Sequence, residues 1–193
     1  MPGAIAPDGH PLDAMLAISD VIENRRHARV YARVIELEPA TVEEIAQDLD
    51  SSATTIYEDV NRLTEMGVLE RVTDAQPYRY RARQIELTVH ADDDAYEITP
   101  TFIVALARSE TNENIQLFVD RHGTAGLATA VEYARAYVRG RMTARVLARE
   151  QEIPVLEAET ILQELREVIL DVEPELEEAA DIDALDAAVD AQE

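Results

Sequence analysis

Cysteine is absent from the 193 residues, which excludes disulfides, thiolate metal sites and cysteine nucleophiles together. Lysine is absent as well: all 17 basic residues are arginine, against 40 Asp and Glu. No apolar run approaches the roughly 18 residues a membrane-spanning helix needs. The opening Met-Pro-Gly-Ala-Ile-Ala-Pro-Asp has no basic segment leading into an apolar one, so no signal peptide is expected and the cytoplasm is the expected compartment. His10, His27, His90 and His122 are scattered, with no pair at metal-ligand spacing. A Gly-rich phosphate loop and a G-x-S-x-G elbow are also missing. Neither an enzyme nor a cofactor is expected, and no membrane partner.

What the chain does have is acid. The net charge is −23, and with arginine as the sole cation the composition resembles that of haloarchaeal, salt-accumulating proteins. At molar salt the Debye length falls to about 3 Å and the self-repulsion of such a surface is screened. Acidity opposes nucleic-acid binding, because phosphate contacts need cations, so the placement of the arginines decides. Residues 1–90 carry nine Arg against 16 acids, and residues 91–193 carry eight against 24. Arg25, Arg26, Arg29 and Arg33 cluster early. Arg79, Arg81 and Arg83 form a second group, and the stretch from Asp171 to Glu193 has ten acids and no arginine.

Helical spacing of Leu12, Met15, Leu16, Ile18, Val21 and Ile22 predicts a helix ending near Asn24. A second, from about Arg26 to Leu37, places Val30, Val34 and Leu37 on one face, and Pro39 stops it. Thr41 and Glu44 form a T-x-x-E capping box opening a short helix to about Asp48, with Val42, Ile45, Ala46 and Leu49 inward. Asp50, Ser51 and Ser52 supply a turn and an N-cap. The next helix runs to Met66 with Ile56, Val60 and Leu63 inward, and Gly67 ends it. Val68–Val72 then predicts a strand, followed by the turn-prone Asp74-Ala75-Gln76-Pro77. In residues 78–83 tyrosines and alanine alternate with Arg79, Arg81 and Arg83, a second strand with two distinct faces. Ile85, Leu87 and Val89 extend it or begin another, and Tyr96 and Ile98 can close a small strand.

This order is a winged helix-turn-helix pattern. The segment Ser52-Ala-Thr-Thr-Ile-Tyr-Glu-Asp-Val-Asn-Arg-Leu-Thr-Glu-Met-Gly-Val-Leu-Glu resembles the recognition helix and first wing strand of ArsR-like, MarR-like and TrmB-like regulators. The wing Pro77-Tyr78-Arg79-Tyr80-Arg81-Ala82 resembles archaeal members of that group. The resemblance covers about 60 residues and implies a transcription regulator of double-stranded DNA. Such a helix lies in the major groove with its N-terminal half at base edges. Here that half offers Ser52, Thr54, Thr55, Tyr57, Glu58 and Asn61. Asn61 suits adenine and Glu58 suits cytosine N4, and Ser51 and Ser52 at the helix start suit a phosphate. Arg62 pairs with Glu58 or reaches phosphate. Arg79 and Arg81 would meet backbone or minor groove, and Arg25, Arg26 and Arg29 an adjacent phosphate. Glu58 and Asp59 count against phosphate proximity, so a winged-helix protein–protein adaptor is the alternative. Tyr78 and Tyr80 read more readily as packing under the wing than as base stackers.

The expected fold class is mainly α with a small β-hairpin wing: a winged helix-turn-helix followed by a C-terminal helical domain. The expected divisions are an N-terminal extension at 1–23, the winged helix at 24–90, an acidic linker at 91–99, a helical dimerisation or partner domain at 100–170 and an acidic tail at 171–193. Helices are expected over about 101–108, 112–121, 125–139, 143–150 and 155–170. Residues 1–10 are expected to be loose. So is the tail, in which Leu185 and Val189 leave room for one short helix. Asp92, Asp93 and Asp94 read as a solvated loop. A homodimer is expected, since weak phosphate attraction at high salt favours two half-sites. Leu127, Ala130, Val131, Ala134 and Val138 serve as its seam or as an internal core, and Leu12–Ile22 is a second candidate seam. Residues 141–170 repeat the helix-turn-helix layout. Ala148 stands for Ala46, Pro154 for Ser52, and Leu162 and Leu165 for Val60 and Leu63. Because Glu157, Glu159, Glu164 and Glu167 would repel phosphate, this element reads as a packing or protein-partner surface.

Overall fold

The structure is a computed structural model that describes residues 10–91 and 94–176. It divides into two compact units, residues 1–110 and 111–193. Expectations for residues 1–9, for Asp92 and Asp93, and for the tail from 177 onward lie outside the described residues.

In the first unit α1 (Pro11–Glu23) and α2 (Arg25–Leu37) meet at Asn24, whose side chain accepts from the Arg26 N–H and caps α2. A two-residue strand β1 (Ala40–Thr41) leads into α3 (Val42–Asp48). The capping box forms in both directions: the Thr41 hydroxyl accepts from the Glu44 N–H, and the Glu44 carboxylate from the Thr41 N–H. That backbone hydrogen bond is the main cause holding the Glu44 carboxyl below the usual range. The turn follows, and then α4 (Ala53–Glu65). Gly67, at φ +73°, closes α4 with the Val68 N–H on the Leu63 carbonyl and its own N–H on Thr64. This is the left-handed C-terminal cap that glycine adopts without strain. The wing is β2 (Leu69–Arg71) and β3 (Arg79–Ala82), and β3 is the middle strand, between β1 and β2. A separate hairpin, β4 (Leu87–Ala91) with β5 (Asp94–Ile98), precedes α5 (Pro100–Arg108).

The core holds the inward residues the periodicity selects: Val30 and Val34 from α2, Ile45 from α3, and Ile56, Val60 and Leu63 from α4. Several features differ from the expected pattern. Leu37 and Leu49 are only half-buried, at the two helix ends. α1 buries Ala17, Ile18 and Val21 but leaves Leu12, Met15 and Leu16 at 56%, 46% and 63% exposure. Finally, α5 packs on α2 and α1 within the first unit, so the division expected near residue 100 falls after Glu110. All seven residues from Thr101 to Ala107 are buried, as in a helix enclosed on every side. The acidic linker expected at 91–99 is mostly strand, because β5 pairs with β4 in register.

The second unit contains α6 (Glu113–Val138), α7 (Ala144–Glu150) and α8 (Val155–Val172). The two helices expected over 112–139 are both present, joined at Gly123. There φ +70° and ψ −177° break the α geometry in a region only glycine enters freely. Leu127, Ala130, Val131 and Ala134 are buried inside this unit. Within the chain these four serve as internal core, and Val138, the fifth of the series, is half-buried.

Candidate nucleic-acid interface

Ser52 caps α4 by accepting from the Thr55 N–H at 3.1 Å, and its hydroxyl also bonds that of Thr55 at 2.8 Å. The Ser51 hydroxyl is turned back onto the Leu49 carbonyl. These three hydroxyls are therefore engaged in shaping the helix start. Past the cap, Thr54, Tyr57, Glu58 and Asn61 follow one another at helical i, i+3, i+4 and i+7 positions on the outer face. The first three are exposed and Asn61 half-buried.

Asp59 is not on that face. It is 2% exposed and held by Arg26, whose Nη2 and Nε lie 2.8 Å from its two oxygens. His27 Nε2 lies 3.6 Å from Asp59, and the other ring nitrogen is 2.5 Å from Asp20. A charge that the sequence places near phosphates is thus neutralised inside the unit, tying α4 to α2 and α1. Arg26 is correspondingly a structural residue. Arg25 donates to the Leu106 carbonyl at 3.1 Å and Arg29 faces Glu110 at 3.6 Å, so both are directed to α5 and the residues just after it. The three arginines expected to meet an adjacent phosphate all have internal partners. Packing α5 against α2 supplies the partners of Arg25 and Arg29, and α4 supplies that of Arg26.

Arg79 and Arg81 of β3, and Arg83 just after it, are also paired. Arg79 donates to the Pro39 carbonyl at 2.7 Å and lies 3.4 Å from Glu44. Arg81 sits 3.2 Å from Glu38, and Arg83 sits 3.3 Å from Glu70. The alternation is as the sequence predicts, with Tyr80 and Ala82 buried and the arginines on the opposite face. However, β3 is a middle strand, and carboxylates from both sides reach its outer face. Burial pushes the Glu38 carboxyl up, against the pull of Arg81.

Two arginines on this side of the unit are different. Arg62 on α4 is exposed and makes no ion pair among the described residues, and the expected i, i+4 pair with Glu58 is not formed. Arg71, at the end of β2, is exposed and lies 4.7 Å from the ring centroid of Tyr78. A guanidinium over a tyrosine face is held by the ring's negative charge distribution and remains a cation available to solvent. Arg71 is not among the residues the sequence pattern singles out. Its signal is weak: it is the wing arginine outside the Arg79–Arg83 alternation. Between the start of α4 and the wing lies a groove of about 630 Å³, lined by Val42, Thr54, Tyr57, Pro77, Tyr78 and Tyr80 among others. Tyr80 is buried beneath it, which raises its hydroxyl above the ordinary value, whereas Tyr78 stays half-exposed.

Among the described residues no group of side chains is arranged to hold a metal, and no helix is long and apolar enough to cross a membrane. Residues 24–86 match the family model described as sugar-specific transcriptional regulator TrmB. Residues 109–174, nearly the second unit, match a family of unknown function, DUF7437. No curated protein and no solved structure matches the chain. Taken with the order of three helices and a hairpin wing, the match over residues 24–86 supports a transcription regulator of the winged-helix type.

Proposed function

We propose that this protein is a sequence-specific regulator that binds double-stranded DNA as a homodimer. α4 lies in the major groove and the wing lies along the backbone. The observation that carries this reading is the outer face of α4. Thr54, Tyr57, Glu58 and Asn61 offer donors, acceptors and one aromatic ring at base-edge spacing. Arg62 and Arg71, which make no ion pair among the described residues, flank them. Arg79 and Arg81 contribute by bracing the wing, and Arg25, Arg26 and Arg29 by bracing α2.

The test is the salt dependence of binding to duplex DNA selected from a random pool. Each neutralised phosphate contributes about −0.9 to the slope of log affinity against log salt. Arg62→Gln with Arg71→Gln is expected to make that slope shallower by about 2 per protomer. Arg79→Gln with Arg81→Gln is expected to change it by less than about 1. The reverse ranking would return the phosphate contacts to β3.

The dimer seam favoured by the exposed surface is on α1, where Leu12, Met15 and Leu16 form an uncovered apolar strip at i, i+3 and i+4. Met15→Glu with Leu16→Glu is expected to shift the protein from dimer to monomer in sedimentation at molar KCl. Operator affinity should fall at least tenfold. A double variant that still sediments as the wild type would place the seam elsewhere.

A further inference from the structure

The second unit reproduces the backbone devices of the first helix-turn-helix. In each turn the residue after the helix cap is non-glycine with positive φ, Asp50 at +49° and Glu152 at +54°. In each, the next N–H closes on the carbonyl of the small alanine inside the first helix. Ser51 bonds Ala46 and Ile153 bonds Ala148, both at 3.0 Å. α3 and α7 have seven residues each, and Leu162 and Leu165 are buried where Val60 and Leu63 are. The acids of α8 are not all outward. Glu157 accepts from His122 at 2.9 Å and faces Arg121, which together hold its carboxyl below the usual range. Glu164 accepts from Asn112 and Asn114, each at 2.6 Å. Glu159 and Glu167 remain exposed.

The first helix of this second motif differs in charge from its counterpart. Where α3 shows Glu43 and Gln47, α7 shows Arg145 and Arg149, one turn apart and both exposed. Residues 139–149 contain four arginines and no acid, in a chain with 40 acids. Arg139 and Arg145 have no carboxylate partner among the described residues. Among the described residues Arg149 pairs with the adjacent Glu150 alone, at 3.4 Å, and that carboxylate also accepts from the Tyr133 hydroxyl. Arg141 is already engaged. In a helix-turn-helix the first helix crosses the phosphate backbone, which is where α7 carries its arginines.

We infer that the C-terminal unit is a second helix-turn-helix that grips DNA phosphates through Arg139, Arg145 and Arg149, without reading sequence. Its second helix opens on Val155 and Leu156, the latter 74% exposed, in place of the hydroxyls of α4. This inference rests on the DNA-binding reading above and adds a second contact surface to it.

The experiment measures the full chain and its Arg139→Gln, Arg145→Gln, Arg149→Gln variant against selected and random duplex DNA from 0.3 to 1 M KCl, with folding checked by circular dichroism in the same buffers. The triple variant is expected to keep its helical signal and melting temperature. Its log–log slope should be shallower by about 2 to 3, equally for both DNAs. An unchanged slope in the triple variant, with binding lost in Arg62→Gln plus Arg71→Gln, overturns the second surface alone. No binding by the wild type overturns the reading of α4 as well. A triple variant that binds more tightly, and whose 177–193 stretch becomes more open to protease, would mean that these arginines hold the chain's own acidic end and would also overturn the inference.

Discussion

Arg26→Met is expected to cost about 3 kcal/mol of folding stability, read as a fall in urea midpoint at fixed KCl. The cost does not come from Arg26 itself, which is 54% exposed. It comes from Asp59, which stays in a site only 2% exposed with the His27 ring, 3.6 Å away, as its remaining polar neighbour. Removing one partner of a buried pair is more damaging than removing both, because an isolated carboxylate keeps its desolvation penalty. The double variant Arg26→Met with Asp59→Leu should therefore recover most of the loss, to within about 1 kcal/mol of wild type. A double variant no better than Arg26→Met would mean that the ion pair is not what stabilises the contact of α4 with α2. DNA affinity follows the same logic. The double variant should bind nearly as wild type, since the Arg26 side chain is committed to Asp59.

Phe102→Ala is expected to cost about 3–5 kcal/mol, the range for deleting a fully buried aromatic. Phe102 is completely enclosed, on a helix buried from Thr101 to Ala107 and packed on α2. Whole-domain stability is commonly only about 5–15 kcal/mol, so this substitution should bring the first unit close to unfolding and remove DNA binding with it. Were α5 an accessory of the second unit, the same substitution would leave DNA binding at its wild-type level. Chemical denaturation followed by a DNA-binding assay on the surviving folded fraction distinguishes the two outcomes.

Local devices in this chain could be read in advance. The Thr41–Glu44 capping box, the Ser52 cap, the Gly67 terminus and the two-faced strand 79–82 depend on neighbours within a few residues, and each is observed. β1 could not be read, because Ala40 and Thr41 are too few to show a period and are strand only by pairing with β3. The place of α5 was hidden for a related reason: an all-round apolar helix fits any core, and only contact with α2 assigns it. The arginines were the hardest to read. Their partners are distant in sequence, Arg26 with Asp59 and Arg79 with Pro39 and Glu44. A basic cluster in the sequence is therefore not a basic patch on the surface. The repeat of the helix-turn-helix layout was legible from Ala148, Pro154, Leu162 and Leu165. The inward pairing of Glu157 and Glu164 was not.

The placement of charge now frames the function. An acidic molecule can approach DNA only through cations not already neutralised, and on the α4 and wing side of the first unit Arg62 and Arg71 are such cations among the described residues. The most direct measurement is selection of duplexes from a random pool by the full chain at molar KCl, followed by footprinting of the enriched sequences. The expected result is an enriched site with two related halves about one helical turn apart, and enrichment lost when Thr54 and Asn61 are both replaced by alanine. A pool that stays random, with the protein folded and dimeric, would contradict it and leave the winged helix as a protein-binding adaptor.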